Sequence, residues 1–323
     1  MCTTTFTDII YLDFSKAFDK VPKFRLTAKM KAHGIRGDVL KWISEWLSGR
    51  WQRTFADDTK LGHKVSTDRD REVLQDCLNK LLVWATEWCM EFNVKKCKIL
   101  HTGRNNNKFM YSMNGLPLEE IQQERDIGVV ISNDLKPSKQ CAEAARRASV
   151  VLGQVSRAFM YRDRITFLKL YTQFIRCHLE FAIPAWSPWM ATDIEILEKV
   201  QRRAVNLISG LKGANYEEKL VELGILSLEK RRIRYDLIQT YKILSGIDQV
   251  DSSIWFRTVG LNAQRLTRTT AYCKNLIPNR SRTDMRHNFF SNRVVNSWNG
   301  LPTEVKEART LNSFKKLLDL TDF

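Results

Sequence analysis

The sequence predicts an α+β chain in which a small antiparallel sheet with helices is followed by an all-α region. Three observations carry this. Short apolar runs bounded by turn residues are confined to the first 135 residues or so. Helical spacing of apolar residues dominates from Lys136 to about 246. The chain is 43% hydrophobic, with nine Trp and sixteen Phe, which is the composition of a packed protein and not of a disordered one. The expected organisation is 1–135, then a helical region 136–249, then a basic segment 250–323 ending in a helix.

Residues 9–14, IIYLDF, read as a short buried strand ending in Asp13. Helices are expected over KFRLTAKMKAHGI, closed by Gly34, and over GDVLKWISEWLSGR, N-capped by Asp38 and closed by Gly49. WQRTFA alternates two faces and predicts a strand that runs into the pair Asp57-Asp58, with TKL leaving the turn. Over residues 68–92, Leu74, Leu78, Leu81, Ala85, Trp88 and Phe92 recur at spacings of four and three, the signature of an amphipathic helix. CKILHTG, FMYSMNGLPLEE and DIGVVIS read as strands around an Asn-rich turn at 105–107. Helices follow over 136–160, 162–181, 191–209, 215–223 and 227–246, and SFKKLLDL closes the chain as another.

The net charge of +16 and pI near 9.6 point to a polyanionic partner. The excess is C-terminal. Lys199–Arg234 holds nine Lys/Arg against four Glu, and Arg257–Arg309 holds ten against three acids. VQRRAVNLI sets Arg202 and Arg203 opposite an apolar face, and EKRRIRYD adds Arg231, Arg232 and Arg234; these five are the candidate nucleic-acid contacts. The competing expectation is a charged solvent face on core helices. Trp186, Trp189 and Trp298 are expected to pack and not to stack on bases. Seven scattered cysteines without a CxxC pair indicate neither a disulfide framework nor zinc, so a reducing interior, cytoplasm or nucleus, is expected. No run of eighteen apolar residues occurs, so no membrane span is expected.

YLDFSKAFDKVP puts one acid, Asp13, at a strand end, with the aromatic Phe18 and a second acid, Asp19, after it. FADD puts Asp57 and Asp58 at a second strand end. Alone, each pattern is common in caps and turns. Together they suit nucleotidyl transfer, which needs carboxylates from separate strands around two Mg²⁺ ions. YLDFSKAFDKVP, FADDTKL, WCMEFNVKKCKIL and ERDIGVVIS, in that order, resemble palm motifs A, C, D and E of a reverse transcriptase, most closely those of jockey-like, LINE-type (non-LTR) retrotransposons. LEFAIPAWSPW, LEKVQRRAVNLISGL, LSLEKRRIRYDLIQTYKIL and FFSNRVVNSWNGLP resemble the C-terminal part of the same proteins.

The resemblance implies a partial polymerase palm followed by a thumb-like helical region, and an RNA-directed DNA polymerase working with Mg²⁺ on RNA and DNA template and primer. It makes Asp13, Asp57 and Asp58 the metal ligands. Phe18 becomes the residue under the incoming sugar. Lys96, with Lys95 beside it, becomes the acid for the leaving pyrophosphate, against a plain reading as a solvated turn lysine. Asp19 either supports the site or caps a helix. One departure is large. Asp13 and Asp57 are 44 residues apart, a stretch used up by two helices and one strand, and no Ser-Gly-x-Pro-Gln-Gly motif B loop occurs in the chain. The chain also begins at motif A, so the fingers strands and the endonuclease of such elements are expected to be absent. Polymerase activity is therefore expected to be lost. The alternatives are a non-catalytic basic protein that binds RNA or DNA, and an unstable product with exposed apolar surface.

Overall fold

The computed structural model describes residues 6–14, 23–46, 59–103, 105–211, 213–259 and 274–321. The fold is α+β, and the chain divides into two compact units, 1–125 with 131–135, and 126–130 with 136–323.

In the first unit, β1 (Thr7–Leu12) alternates inward and outward residues, and Asp8, Ile10 and Leu12 share the buried face. The helices α1 (Lys23–Ala32) and α2 (Gly37–Trp46) follow, and then β2 (Thr59–Lys64). Asp38 was expected to cap the second helix but lies inside its first turn, because Gly37 already opens the helix. α3 (Asp68–Glu87) starts in a capping box. Asp70 N–H donates to Thr67 Oγ1 at 3.2 Å, and Thr67 N–H donates to Asp70 Oδ2 at 2.9 Å. Ser66 N–H, which donates to Asp70 Oδ2 at 2.9 Å, and then the Thr67 hydroxyl and N–H hold the Asp70 carboxyl below the usual carboxylate range. The helix stops short of the expected 92 because Cys89 turns left-handed (φ 57°) and Met90 N–H closes back on the Ala85 carbonyl at 2.8 Å. Leu74, Leu78 and Ala85 of α3 pack in one core with Ile10, Leu12 and Ile99.

β3 (Lys98–Thr102) is followed by the pair β4 (Ser112–Met113) and β5 (Leu116–Pro117), then by β6 (Glu119–Ile121). The sheet order is β2-β1-β3-β6. β1 is antiparallel to both β2 and β3, with Leu12 opposite Thr59 and Tyr11 opposite Lys98. The expected antiparallel sheet is in fact mixed, since β6 runs parallel to β3 with Lys98 opposite Glu119. Residues 105–118, with the β4–β5 hairpin inside them, lead back to the start of β3 before β6 begins, and a return of that kind is what parallel pairing requires. β7 (Gln123–Asp126) and β8 (Val129–Ser132) form a hairpin through which the division between units runs.

One polar group sits deep in this unit. Asp8 is fully buried and accepts from Asn106 Nδ2 at 2.8 Å and Tyr111 OH at 2.8 Å, with His101 Nδ1 at 2.7 Å. A buried carboxylate needs such partners, and here they tie residues 106–111 to β1. Burial first, then the bond to Asp8, pushes the Tyr111 hydroxyl pKa far up.

The second unit is helical: α4 (Ser138–Ala158), α5 (Arg164–Leu170), a π-helical turn Tyr171–Ile175, α6 (Arg176–Glu180), α7 (Ile183–Trp186), α8 (Ala191–Asn206), α9 (Tyr216–Leu223) and α10 (Leu228–Leu244). Small residues on α4 (Ala144, Ala145, Ala148) share a core with Leu197, Val200 and Ala204 of α8. After α10 come α11 (Ser252–Trp255), β9 (Arg257–Thr258), β10 (Leu276–Ile277), α12 (Asp284–His287), α13 (Phe290–Gly300), α14 (Thr303–Lys306) and α15 (Leu311–Asp319). In the structure, Leu237 and Tyr241 of α10 share one core with Trp298 and Phe314. Trp298 is 1% exposed and its indole N–H donates to the Lys274 carbonyl at 2.8 Å.

Candidate functional site

The apolar run of β1 ends at Leu12, and Asp13 is the next residue. Its backbone carbonyl accepts from Asn93 N–H at 2.8 Å. The following residue, Phe14, bridges to Phe92, and their rings stack at 4.2 Å. Residues 93–97 then fold as a tight turn, with Lys96 N–H and Cys97 N–H both donating to the Asn93 carbonyl, at 2.8 and 3.1 Å. The turn brings Lys96 Nζ to 3.0 Å from Asp13 Oδ2. Cys97 beneath it is fully buried, and burial pushes its thiol pKa up. Two stretches separated by some eighty residues, both singled out in the sequence, thus meet at one side chain pair.

The pair has a definite electrostatic character. Asp13 Oδ2 is shielded from solvent, and among the described residues no donor is directed at it in hydrogen-bond geometry, so the Lys96 contact is an ion pair. A carboxylate oxygen in that state suits a cation, and the lysine ammonium lies where one would sit. Lys96 itself is 67% exposed, so the pair contributes little to stability. Lys95 is exposed beside it.

Asp57, Asp58, Phe18 and Asp19 lie outside the described residues. Asp57 and Asp58 directly precede β2 in sequence, and the first residue of β2, Thr59, is the ladder partner of Leu12, the neighbour of Asp13. Mg²⁺ takes several oxygen ligands. Asp13 fits as one of them, and among the described residues no group of three His, Cys, Asp or Glu side chains could hold a metal. When bound at such a site, Mg²⁺ polarises phosphoryl oxygens and activates a hydroxyl. Of the described residues, Asp13 would hold it, and Lys96 has a proton to give within reach of the same oxygen.

The five arginines of the second unit have separate fates. Arg231 is bidentate on Glu180, whose Oε2 also takes Tyr235 OH at 3.2 Å. Arg232 is buried, and desolvation lowers its pKa despite the carboxylates of Glu198 and Glu229. Arg234 makes a bidentate pair with Asp319 at 2.7 and 3.0 Å. Arg202 pairs with Glu195 at 2.5 Å and lies over the Tyr216 ring. Arg203 is exposed and has no ion-pair partner among the described residues. Four of the five are therefore engaged within the fold. The carboxylates that engage Arg231, Arg234 and Arg202 come from other turns and elements of the fold, so nothing in the local RR pattern announces them.

Among the described residues no helix is long and apolar enough to cross a membrane. A scan against protein-family models gave no match, and a search of curated proteins gave none.

Proposed function

We propose that this chain is a reverse transcriptase fragment of a non-LTR retrotransposon, an RNA-directed DNA polymerase by descent that has lost nucleotidyl transfer. The observation that carries the reading is the meeting of Asp13 and Lys96 at the end of β1, 3.0 Å apart. It is supported by the antiparallel pairing of β1 with the strand that follows Asp57-Asp58. Two-metal phosphoryl chemistry asks for acids from separate strands and a proton donor, and Asp13 with Lys96 supplies part of that set. The loss follows from the sequence between Arg50 and Asp57, where a few residues stand in place of the motif B loop that contacts template and nucleotide. Catalytic carboxylates must be held to within about 0.5 Å, and a sheet without its usual neighbours does not do so. A second reading, a non-catalytic RNA- or DNA-binding protein, is favoured by the +16 charge and weakened by the internal pairing of three candidate arginines and the burial of a fourth, Arg232.

Mn²⁺ binding followed by electron paramagnetic resonance tests the first reading. Asp13→Asn should weaken binding at least tenfold, and Lys96→Ala should tighten it by removing the competing ammonium. Unchanged binding in Asp13→Asn sinks the assignment. Primer extension on an RNA template with Mg²⁺ should give no product. Extension that survives Asp57→Asn would show that the acids are misassigned.

A further inference from the structure

Between α4 and α5 the chain displays three consecutive large apolar side chains to solvent. Phe159 is 41% exposed, Met160 91% and Tyr161 82%, and Ile165 on the next turn is 68% exposed. Scattered apolar residues on a surface need no explanation, but a contiguous tip does. The tip is held from both sides. Phe159 N–H closes α4 on the Val155 carbonyl at 3.0 Å, and the Arg162 carbonyl accepts Ser209 N–H at 3.0 Å. Arg162 Nη2 donates back to the Ser156 carbonyl at 3.1 Å. Asp163 caps α5 through Thr166 N–H at 2.9 Å. The rings are thus presented on a fixed turn, so little ordering is left to be done on binding.

The setting is cationic. From Arg146 to Lys169 the sequence holds six basic residues against one acid, Asp163; Arg146 and Arg147 pair with Glu143 and Arg164 with Glu222, so the free charge near the tip rests on fewer side chains. Arg157, at the last turn of α4, is exposed and without an ion-pair partner among the described residues. The same holds for Arg203 on α8, the helix whose end leads into Ser209. Exposed aromatics accompanied by arginines that make no ion pair among the described residues form the pattern that takes unpaired bases on the rings and phosphates on the guanidinium groups. Insertion into a bilayer favours a broad apolar face along a whole helix, and four residues do not make one.

We infer that the Phe159–Tyr161 tip is a stacking platform for single-stranded nucleic acid, with Arg157 and Arg203 on its phosphates. The inference rests on the nucleic-acid part of the proposed function and not on any polymerase activity. The test is fluorescence anisotropy of the full chain with a short labelled single-stranded RNA over a range of salt. Replacing Phe159, Met160 and Tyr161 together by Ser should raise Kd at least tenfold, since each stacked base is worth about tenfold, and should leave the salt slope unchanged. Replacing Arg157 and Arg203 by Gln should flatten that slope by about 1.4, for two phosphate contacts on a single strand. All replaced side chains are exposed, so circular dichroism and melting should not move. Equal RNA binding by the Ser variant overturns the platform and leaves the proposed function standing. No RNA binding by the parent chain overturns the platform together with the nucleic-acid part of the proposed function. Loss of binding to phosphatidylserine vesicles, with RNA binding intact, assigns the tip to a membrane and overturns the inference.

Discussion

The ion pair between Arg293 and Asp236 gives the sharpest stability prediction. Arg293 on α13 reaches α10, placing Nε at 2.7 Å and Nη2 at 2.9 Å from the two Asp236 oxygens. It also donates to the backbone carbonyls of Pro184 at 2.8 Å and Asn288 at 3.1 Å. Both charged side chains are largely buried, at 16% and 8% exposure. Arg293→Met keeps the volume and removes the charge, leaving a buried carboxylate and two carbonyls without donors. The cost of breaking such a pair from one side is about 3–5 kcal/mol at neutral pH. The loss should depend on pH in a defined direction. Burial raises the Asp236 pKa above its ordinary 3.8, with Arg293 pulling it back down. A raised native pKa means that the folded state holds the proton more tightly than the unfolded one. The group therefore favours folding as pH falls toward 3.8, and that contribution is lost as pH rises through the native value. Removing Arg293 takes away the group that pulls the Asp236 pKa back down, so the deficit of the variant relative to parent should be smaller at about pH 5 than at about pH 7. Urea unfolding followed by Trp fluorescence at both pH values measures this. A deficit under about 1 kcal/mol, or one that does not change with pH, refutes the reasoning.

Two further outcomes follow from burial. Asp8→Ala strands the donors of Asn106 and Tyr111 and the ring of His101, and should cost roughly 2–4 kcal/mol; a thermal unfolding profile of the first unit that matches the parent would remove Asp8 from its stabilising role. Iodoacetamide on the native protein should modify Cys77, Cys89 and Cys177, which are exposed, and spare Cys97 and Cys141. Burial pushes the Cys141 thiol to about 12, so little thiolate forms. Mass mapping that finds Cys141 labelled without denaturant contradicts the packing of α4.

The apolar patterns determined the kinds of elements and much of their extent. Leu74, Leu78 and Ala85 were legible as a buried stripe because helical periodicity is local, and IIYLDF was legible as a strand for the same reason. Helix ends were less so. The left-handed turn at Cys89 carries no glycine to announce it, and Asp38 looks like a cap although Gly37 opens the helix. The motifs also pointed to Asp13 and Lys96, but only the fold put Nζ on Oδ2, because the turn at 93–97 hangs on the Asp13 carbonyl. The arginine clusters were legible as charge and not as function. Whether a guanidinium faces solvent depends on which carboxylate, such as Glu180 or Asp319, tertiary packing brings to it. The parallel pairing of β6 and the exposure of Phe159, Met160 and Tyr161 belong to the same category. Hydrophobicity says what a side chain would prefer to bury, while long-range topology decides which side chains are left without a place to do so.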